Sequence, residues 1–266
     1  MRTELFPRMR ILLAIASVAF MSACTTHTDE DANDPIEPVN RAVHGFNKAV
    51  DTVVIRPVAW TYREVIPDPV QERIGNGLRN LKSPVILAND LMQGEFDNAW
   101  VTFMRLLINS TWGLAGLHDV AGEMGFTYHN EDFGQTLAVA GVEEGPYLVL
   151  PILGPSNPRD TVGLVVDWIM DPFRLYTAAK NVEEANYVRT GLQLIDTRAG
   201  LIDVLDDVEK TSLDTYVSYR TLYRQRRAAE IKNQTLGHEV DGEAFDFNDT
   251  PEQSTPAPLH PSKIGT

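Results

Sequence analysis

One stretch constrains this chain more than any other: Gly94–Leu117, GEFDNAWVTFMRLLINSTWGLAGL, which reads as a helix with its surface proportions reversed. Phe96, Ala99, Trp100, Val101, Phe103, Met104, Leu106, Leu107 and Ile108 cover most of its circumference. Asn98, Thr102, Arg105 and Asn109 recur at steps of four, three and four, the spacing that draws one line along a helix. A helix on the surface of a water-soluble protein has a wide polar face and a narrower apolar one. Here the polar part is the stripe. Two settings accept that pattern: the middle of a large core, or a lipid surrounding in which the stripe faces a polar cavity.

The N-terminus bears on the compartment. Arg2, Arg8 and Arg10 precede the apolar run Ile11–Phe20, ten residues and too short to span a bilayer, and Ser22-Ala23 then lead to Cys24. This is the layout of a secretory signal over residues 1–23. Cys24 is the only cysteine, so it forms no internal disulfide. Placed after Met21-Ser22-Ala23 it resembles the lipobox of a bacterial lipoprotein, which makes it the lipid-attachment site and the mature N-terminus. Several acyl chains anchor far more firmly than one. By analogy with lipoprotein sorting, Thr25 after the cysteine, rather than aspartate, favours the outer membrane.

Residues 24–34 are polar and without apolar periodicity, a flexible tether. Residues 228–266 are acidic and almost free of apolar clusters, a disordered tail. Between them, 35–227 is long enough for one domain with a sizeable core. The formal charge of −14 argues against nucleic acid, whose phosphates need a cationic face. It leaves a membrane open, since contact with acyl chains needs no basic patch.

The periodicity predicts an all-α domain. Val39, Val43, Phe46, Val50 and Val53/Val54 recur at helical spacing until Pro57 closes or kinks the segment, and Trp60–Ile66 and Val70–Leu81 follow as short helices. Ser83-Pro84 reads as N-cap and first position of a further helix. Gly113, Gly116, Gly122 and Gly125 mark tight turns or close contacts, either a hairpin dipping into lipid or a loop beneath a soluble core; with few side chains to pin it, this segment is the candidate for a mobile lip. Phe133–Val142 and Gly145–Pro155 crowd apolar residues between glycines and prolines, which predicts irregular or single-turn segments. Thr161–Met170 is a helix apolar on most sides with Asp167 as its one interior charge. Val182–Asp206 is an amphipathic helix or helix pair. On 213–227, tyrosines beside arginines suit either a headgroup interface or a solvated helix end.

Catalytic chemistry finds little to use. There is no Gly-x-Ser-x-Gly, and Ser156, in GPSNP, reads as a helix cap. His118-Asp119 are sequence neighbours that point apart on a helix. No HExxH or phosphate-binding glycine motif is present, and His129–Asp132 reads as a solvated turn. The reading is therefore not an enzyme, with no cofactor, no metal and no catalytic residue.

Several strings together resemble one family: Asp34–Arg41 (DPIEPVNR) followed by Phe46-Asn47, Ile55–Ala59 (IRPVA), Gly116–Gly122 (GLHDVAG), and above all Phe133–Leu137 (FGQTL) with Gly145-Pro146-Tyr147 and Leu150-Pro151. They are similar to the MlaA (VacJ) outer-membrane lipoproteins from about residue 34 to 225. The resemblance implies a single ring-like helical domain lying in the inner leaflet of the outer membrane of a Gram-negative bacterium, facing the periplasm. It implies removal of mislocalised phospholipid from the outer leaflet through an amphipathic channel, passage to a periplasmic lipid carrier, and a position beside trimeric porins. Phe46 and Asn47 would be its gating region. The residues expected to line the channel are Asn98, Thr102, Arg105 and Asn109, with Arg105 either drawing a phosphate headgroup or pairing with a carboxylate such as Asp97 or Asp167. The competing functional reading is a scaffold lipoprotein that docks on porins without conducting lipid.

Overall fold

The computed structural model of the protein describes residues 33–233. The signal segment, Cys24, nearly all of the 24–34 tether and residues 234–266 of the acidic tail lie outside the described residues.

Helix α1 (Glu37–Val50) starts with Pro38 in its first turn, where a missing N–H costs nothing. Pro57 does not close this segment. A single π-helical turn, Asp51–Ile55, shifts the bonding so that the Arg56 N–H reaches the Asp51 carbonyl, and α2 (Arg56–Val65) continues with Pro57 in its first turn. Ile66-Pro67 break the run, and α3 (Asp68–Gln93) follows as one helix of 26 residues. Pro84 lies inside it. Ser83 is accordingly no cap; its hydroxyl donates to the Arg79 carbonyl one turn back. What holds the helix through its proline is the long inner face, Asn76, Asn80, Ser83, Val85, Ile86, Asn89 and Asp90, all buried; α4 (Phe96–Thr111) folds back along it, and Asn89 bonds to Thr136 and Asp167.

After α4 come the single turn α5 (Val120–Glu123) and α6 (Phe133–Val139), so FGQTLAV is helical. Asp132 caps it by accepting from the Gln135 N–H. The GPY…LP run is also regular. Strand β1 (Leu148–Leu150) pairs antiparallel with β2 (Gly154–Ser156), with Val149 opposite Pro155. Asn157, not Ser156, caps α7 (Pro158–Met170) by accepting from the Asp160 N–H. Asp171 caps α8 (Pro172–Ala179). The amphipathic region beyond resolves into a pair, α9 (Glu184–Gly200) and α10 (Ile202–Thr211). Helix α11 runs Thr215–Ile231, four residues beyond the expected start of the tail.

The interior is unusual in what it contains. Among the described residues, buried polar and charged side chains outnumber buried apolar ones, and the apolar clusters are small: Ala59, Ala199 and Ile202 in one, Tyr147, Val149 and Tyr216 in another. Large apolar side chains lie outside instead. No helix of the described residues is long and apolar enough to cross a membrane.

Two glycines let α6 and α7 cross closely. A Cβ on Gly163 would sit 2.3 Å from the Gly134 backbone nitrogen, so only hydrogen fits there. The Gly134 of the FGQTL string is thus a contact residue.

Candidate functional site

Helix α4 divides its two faces as the sequence implies. Phe96, Trp100, Phe103 and Leu107, at steps of four, three and four, form a continuous exposed line, with Phe96 71% and Trp100 58% accessible. On the opposite side Thr102, Arg105 and Asn109 are buried and Asn98 is half-buried. A wet exterior normally reverses this arrangement.

The buried stripe is not left open. Thr102 donates to Asp90 at 2.7 Å, and His129 Nε2 lies 3.0 Å from the other oxygen of that fully buried carboxylate. Arg105 donates through Nη2 to both oxygens of Asp119 (2.9 and 2.8 Å) and through Nη1 to the Phe126 carbonyl. The Asn109 amide donates to Asp119 at 2.9 Å and accepts from the Ala121 N–H at 2.9 Å. The carboxylate partner of Arg105 is therefore Asp119, neither Asp97 nor Asp167. Burial opposes the charge on Asp119, yet hydrogen bonds from Arg105, Asn109 and the Gly122 N–H hold its carboxyl below the usual range.

These bonds fasten the glycine-rich segment to α4. Gly113 and Gly122 are hemmed in by the His118 carbonyl and the Asp119 carboxylate, and Gly116 presses on Asn80 with φ of +94°, where a side chain would meet both strain and a clash. Gly125 alone of the four faces open space. The base of the segment is thus pinned, while its tip exposes Trp112, Leu114 and Leu117.

A second construction joins α1 to the β-hairpin. Asn40 donates to the Tyr147 carbonyl and accepts from the Val149 N–H, both at 2.9 Å. Two turns on, Asn47 donates to the Leu150 carbonyl at 2.9 Å and accepts from the Ile152 N–H at 2.7 Å. Each side-chain amide stands in for a neighbouring strand. The clip at Asn47 holds Ile152 at φ of +67°, a conformation that β-branched residues avoid. Phe46, beside it, points outward and is exposed.

Cavities flank the hairpin, and both include Leu153 and Pro155. One, about 260 Å³, is largely apolar and also lined by Asn47, Val149, Ile152 and Leu201. The other, about 420 Å³, is lined by charge, with Lys82, Asp132, Asp160, Asp167, Arg189 and Arg227 among its walls. Arg227 reaches Asp132 at 2.6 Å and Asp160 at 2.8 Å. Burial opposes the charge on Asp132, but Arg227 holds its carboxyl at about 2. Tyr223 donates to Asp160, and Tyr216 to Asp34. Tyr216, Tyr223 and Arg227 of α11 therefore work inward, whereas Arg226 stays at the surface in an ion pair with Glu230. Likewise His129–Asp132 is no solvated turn: Glu131 is 2% exposed.

Comparison with known proteins settles the family. A family model described as MlaA lipoprotein matches residues 32–230. The chain belongs to the MlaA lipoprotein family. Among similar MlaA-family proteins, the intermembrane phospholipid transport system lipoprotein MlaA of Haemophilus influenzae is 30% identical over 243 residues, 85% of this chain and 92% of its own length. The Escherichia coli protein of the same description is 32% identical over 219 residues, 80% of this chain and 85% of its own. A protein of Rickettsia felis is 34% identical over 200 residues, 75% and 78% of the two chains. A solved structure, described as the structural basis for maintenance of bacterial outer membrane lipid asymmetry, superposes with a TM-score of 0.67 at 31% identity, covering 74% of this chain and 98% of that one. Within this MlaA fold, sequence reasoning missed Asn40, Lys82 and Asp132. The signal for Asn40 was present, as an asparagine seven residues before Asn47 on the same helical face.

Proposed function

We propose that this chain is the lipid-conducting lipoprotein of an intermembrane phospholipid transport system. Anchored through Cys24, its helical ring rests in the inner leaflet of the outer membrane, beside trimeric porins. Phospholipid mislocalised to the outer leaflet passes through it toward a periplasmic carrier, which maintains lipid asymmetry. The observation that carries this reading is the inverted division of α4, aromatic outside and hydrogen-bonded polar inside. Acyl chains are the solvent that accepts such an exterior without cost.

The path runs past the β-hairpin. A phospholipid needs an apolar course for its tails beside a polar one for its headgroup, and the two cavities sharing Leu153 and Pro155 supply one of each. Asn47 sets the hairpin tip between them, which gives the Phe46-Asn47 region its gating role. Thr102, Arg105 and Asn109 line neither cavity; their hydrogen bonds brace α4 and the glycine-rich segment beside the path. No covalent step is required; the gradient of lipid free energy between leaflets supplies direction.

Photo-crosslinking tests this. A crosslinking residue at Leu153 is expected to capture phospholipid in intact membranes, and a Leu153→Trp substitution to raise phospholipid at the cell surface at unchanged protein level. Capture at Trp100 with none at Leu153 would instead indicate a membrane-resting scaffold that conducts no lipid.

A further inference from the structure

In the charged cavity two ionisable side chains of opposite sign make no direct ionic contact. Arg227 is paired with Asp132 and Asp160, Arg189 with Asp171, and Arg226 with Glu230. That leaves one cation and one anion of the lining without an ionic partner among the described residues. The Lys82 ammonium makes a single hydrogen bond, to Asn130 Oδ1 at 2.6 Å, of the three it can donate. Asp167 accepts from the Asn89 amide at 2.9 Å and from the Phe133 N–H at 3.0 Å, both neutral donors. Burial lowers the Lys82 pKa against the attraction of Asp132 and Asp167, and raises that of Asp167 against the Asn89 and Phe133 hydrogen bonds and the attraction of Lys82, so the two charges feel each other without a direct contact. They stand on α3 and α7, on walls of the same 420 Å³ space, without forming an ion pair with each other.

We propose that Lys82 and Asp167 form a headgroup site for zwitterionic phospholipid, Lys82 receiving the phosphate and Asp167 the primary ammonium of an ethanolamine headgroup. The inference rests on the lipid-conducting reading above. A zwitterion brings one charge of each sign to a cavity wall on which Lys82 and Asp167 each have only neutral direct partners. An anionic glycerol headgroup would satisfy Lys82 but bring its phosphate near Asp167 with no cation of its own to place there, and like charges in a partly dry site repel strongly. A quaternary ammonium offers no N–H to Asp167, so ethanolamine is favoured over choline as well. The cavity volume falls in the range of small-ligand sites.

The test uses the full-length acylated protein in vesicles of equimolar phosphatidylethanolamine and phosphatidylglycerol, with crosslinking from Trp168, another residue of the cavity wall, and mass spectrometry of the captured lipid. The wild type is expected to enrich phosphatidylethanolamine about tenfold over the vesicle ratio, the worth of one charged hydrogen bond. Asp167→Asn, which keeps an acceptor for Asn89 and Phe133, is expected to abolish the enrichment while lipid is still captured. Lys82→Gln is expected to lower capture of both lipids, and Lys82→Arg to restore it. Soluble glycerophosphoethanolamine is expected to compete only weakly; tight competition would overturn the assignment to lipid. Capture at the vesicle ratio in the wild type, or enrichment that survives both Asp167→Asn and Lys82→Gln in variants that melt like the wild type, overturns the headgroup site and leaves conduction standing. No captured lipid at Trp168 or at Leu153 overturns both.

Discussion

Arg105 and Asp119 meet at 2.8 Å although one belongs to the polar stripe of α4 and the other opens the turn at Val120. That bidentate pair, with Asn109 on the same carboxylate, ties the glycine-rich segment to the helix that carries the apolar exterior. The pair is largely buried, so removing one partner strands the other. Arg105→Met is expected to destabilise the domain by about 3 kcal/mol, and Asp119→Asn in the same chain, which removes the stranded charge but keeps an oxygen for Asn109 and the Gly122 N–H, to recover part of that loss. Denaturant unfolding in detergent gives both numbers. Equal, additive losses would mean that the two side chains contribute independently.

Asn47 and Asn40 hold neighbouring parts of one strand, which allows an internal control. Asn47→Leu frees the Leu150 carbonyl and the Ile152 N–H and is expected to cost about 1–3 kcal/mol. Amide exchange at Ile152 should rise at least about tenfold, while Val149, clipped by Asn40, keeps its protection. Uniform acceleration across both amides would show that the hairpin opens as one unit.

The crossing of α6 and α7 has no room to give. Gly163→Ala brings a methyl against the Gly134 backbone and is expected to lower stability by about 1–3 kcal/mol. Gly125→Ala meets open space and suffers only from its φ of +93°, a cost nearer ~1 kcal/mol. Thermal melts of the two variants rank them. The reverse order would mean that α7 shifts freely along α6.

The helical class and the two-faced α4 were legible because both are periodic properties, and period survives in a bare sequence. The partners of the polar stripe were not. Asp119 lies ten residues from Asn109 and fourteen from Arg105, across a turn whose course depends on Gly116 fitting against Asn80. Pro57 and Pro84 misled in the same way: each is a strong local break, overridden by a π turn in one case and by the packing of the α3 inner face in the other. The β-hairpin escaped notice because strands of three residues carry too little alternation to read. Its position is set by Asn40 and Asn47, whose role is visible only once α1 and the hairpin lie side by side.

Stability should fall as pH rises through a window that one buried acid defines. Burial pushes the Glu131 carboxyl up to about 7, against the hydrogen bond from Gln93 that favours its charge. In the unfolded chain the same group titrates near ~4.3. Between these values the folded protein holds a proton that the unfolded chain does not, so stability is highest below about 4.5 and declines up to about 7. Asp132 acts in the opposite sense, its stabilisation being lost as pH falls from ~4 toward 2. Melting temperatures from pH 4 to 8 should therefore decline in the wild type and stay flatter in Glu131→Gln. Parallel declines in the two proteins would assign the slope to other groups.

The exterior of α4 yields the most direct test of where the domain resides. Phe96, Trp100, Phe103 and Leu107 touch none of the stripe's hydrogen bonds, so changing all four to Gln alters the outer surface and leaves the brace in place. Together their exposed parts are worth about 4 kcal/mol on transfer from water to acyl chains, which is about a thousandfold in partitioning. In a form lacking the acylated Cys24, the wild-type domain should float with phospholipid vesicles and the fourfold variant should shift markedly toward the aqueous fraction, with matching helical circular dichroism. If the variant floats as the wild type does, the helix faces something other than lipid, and the aromatic line is a contact surface for protein.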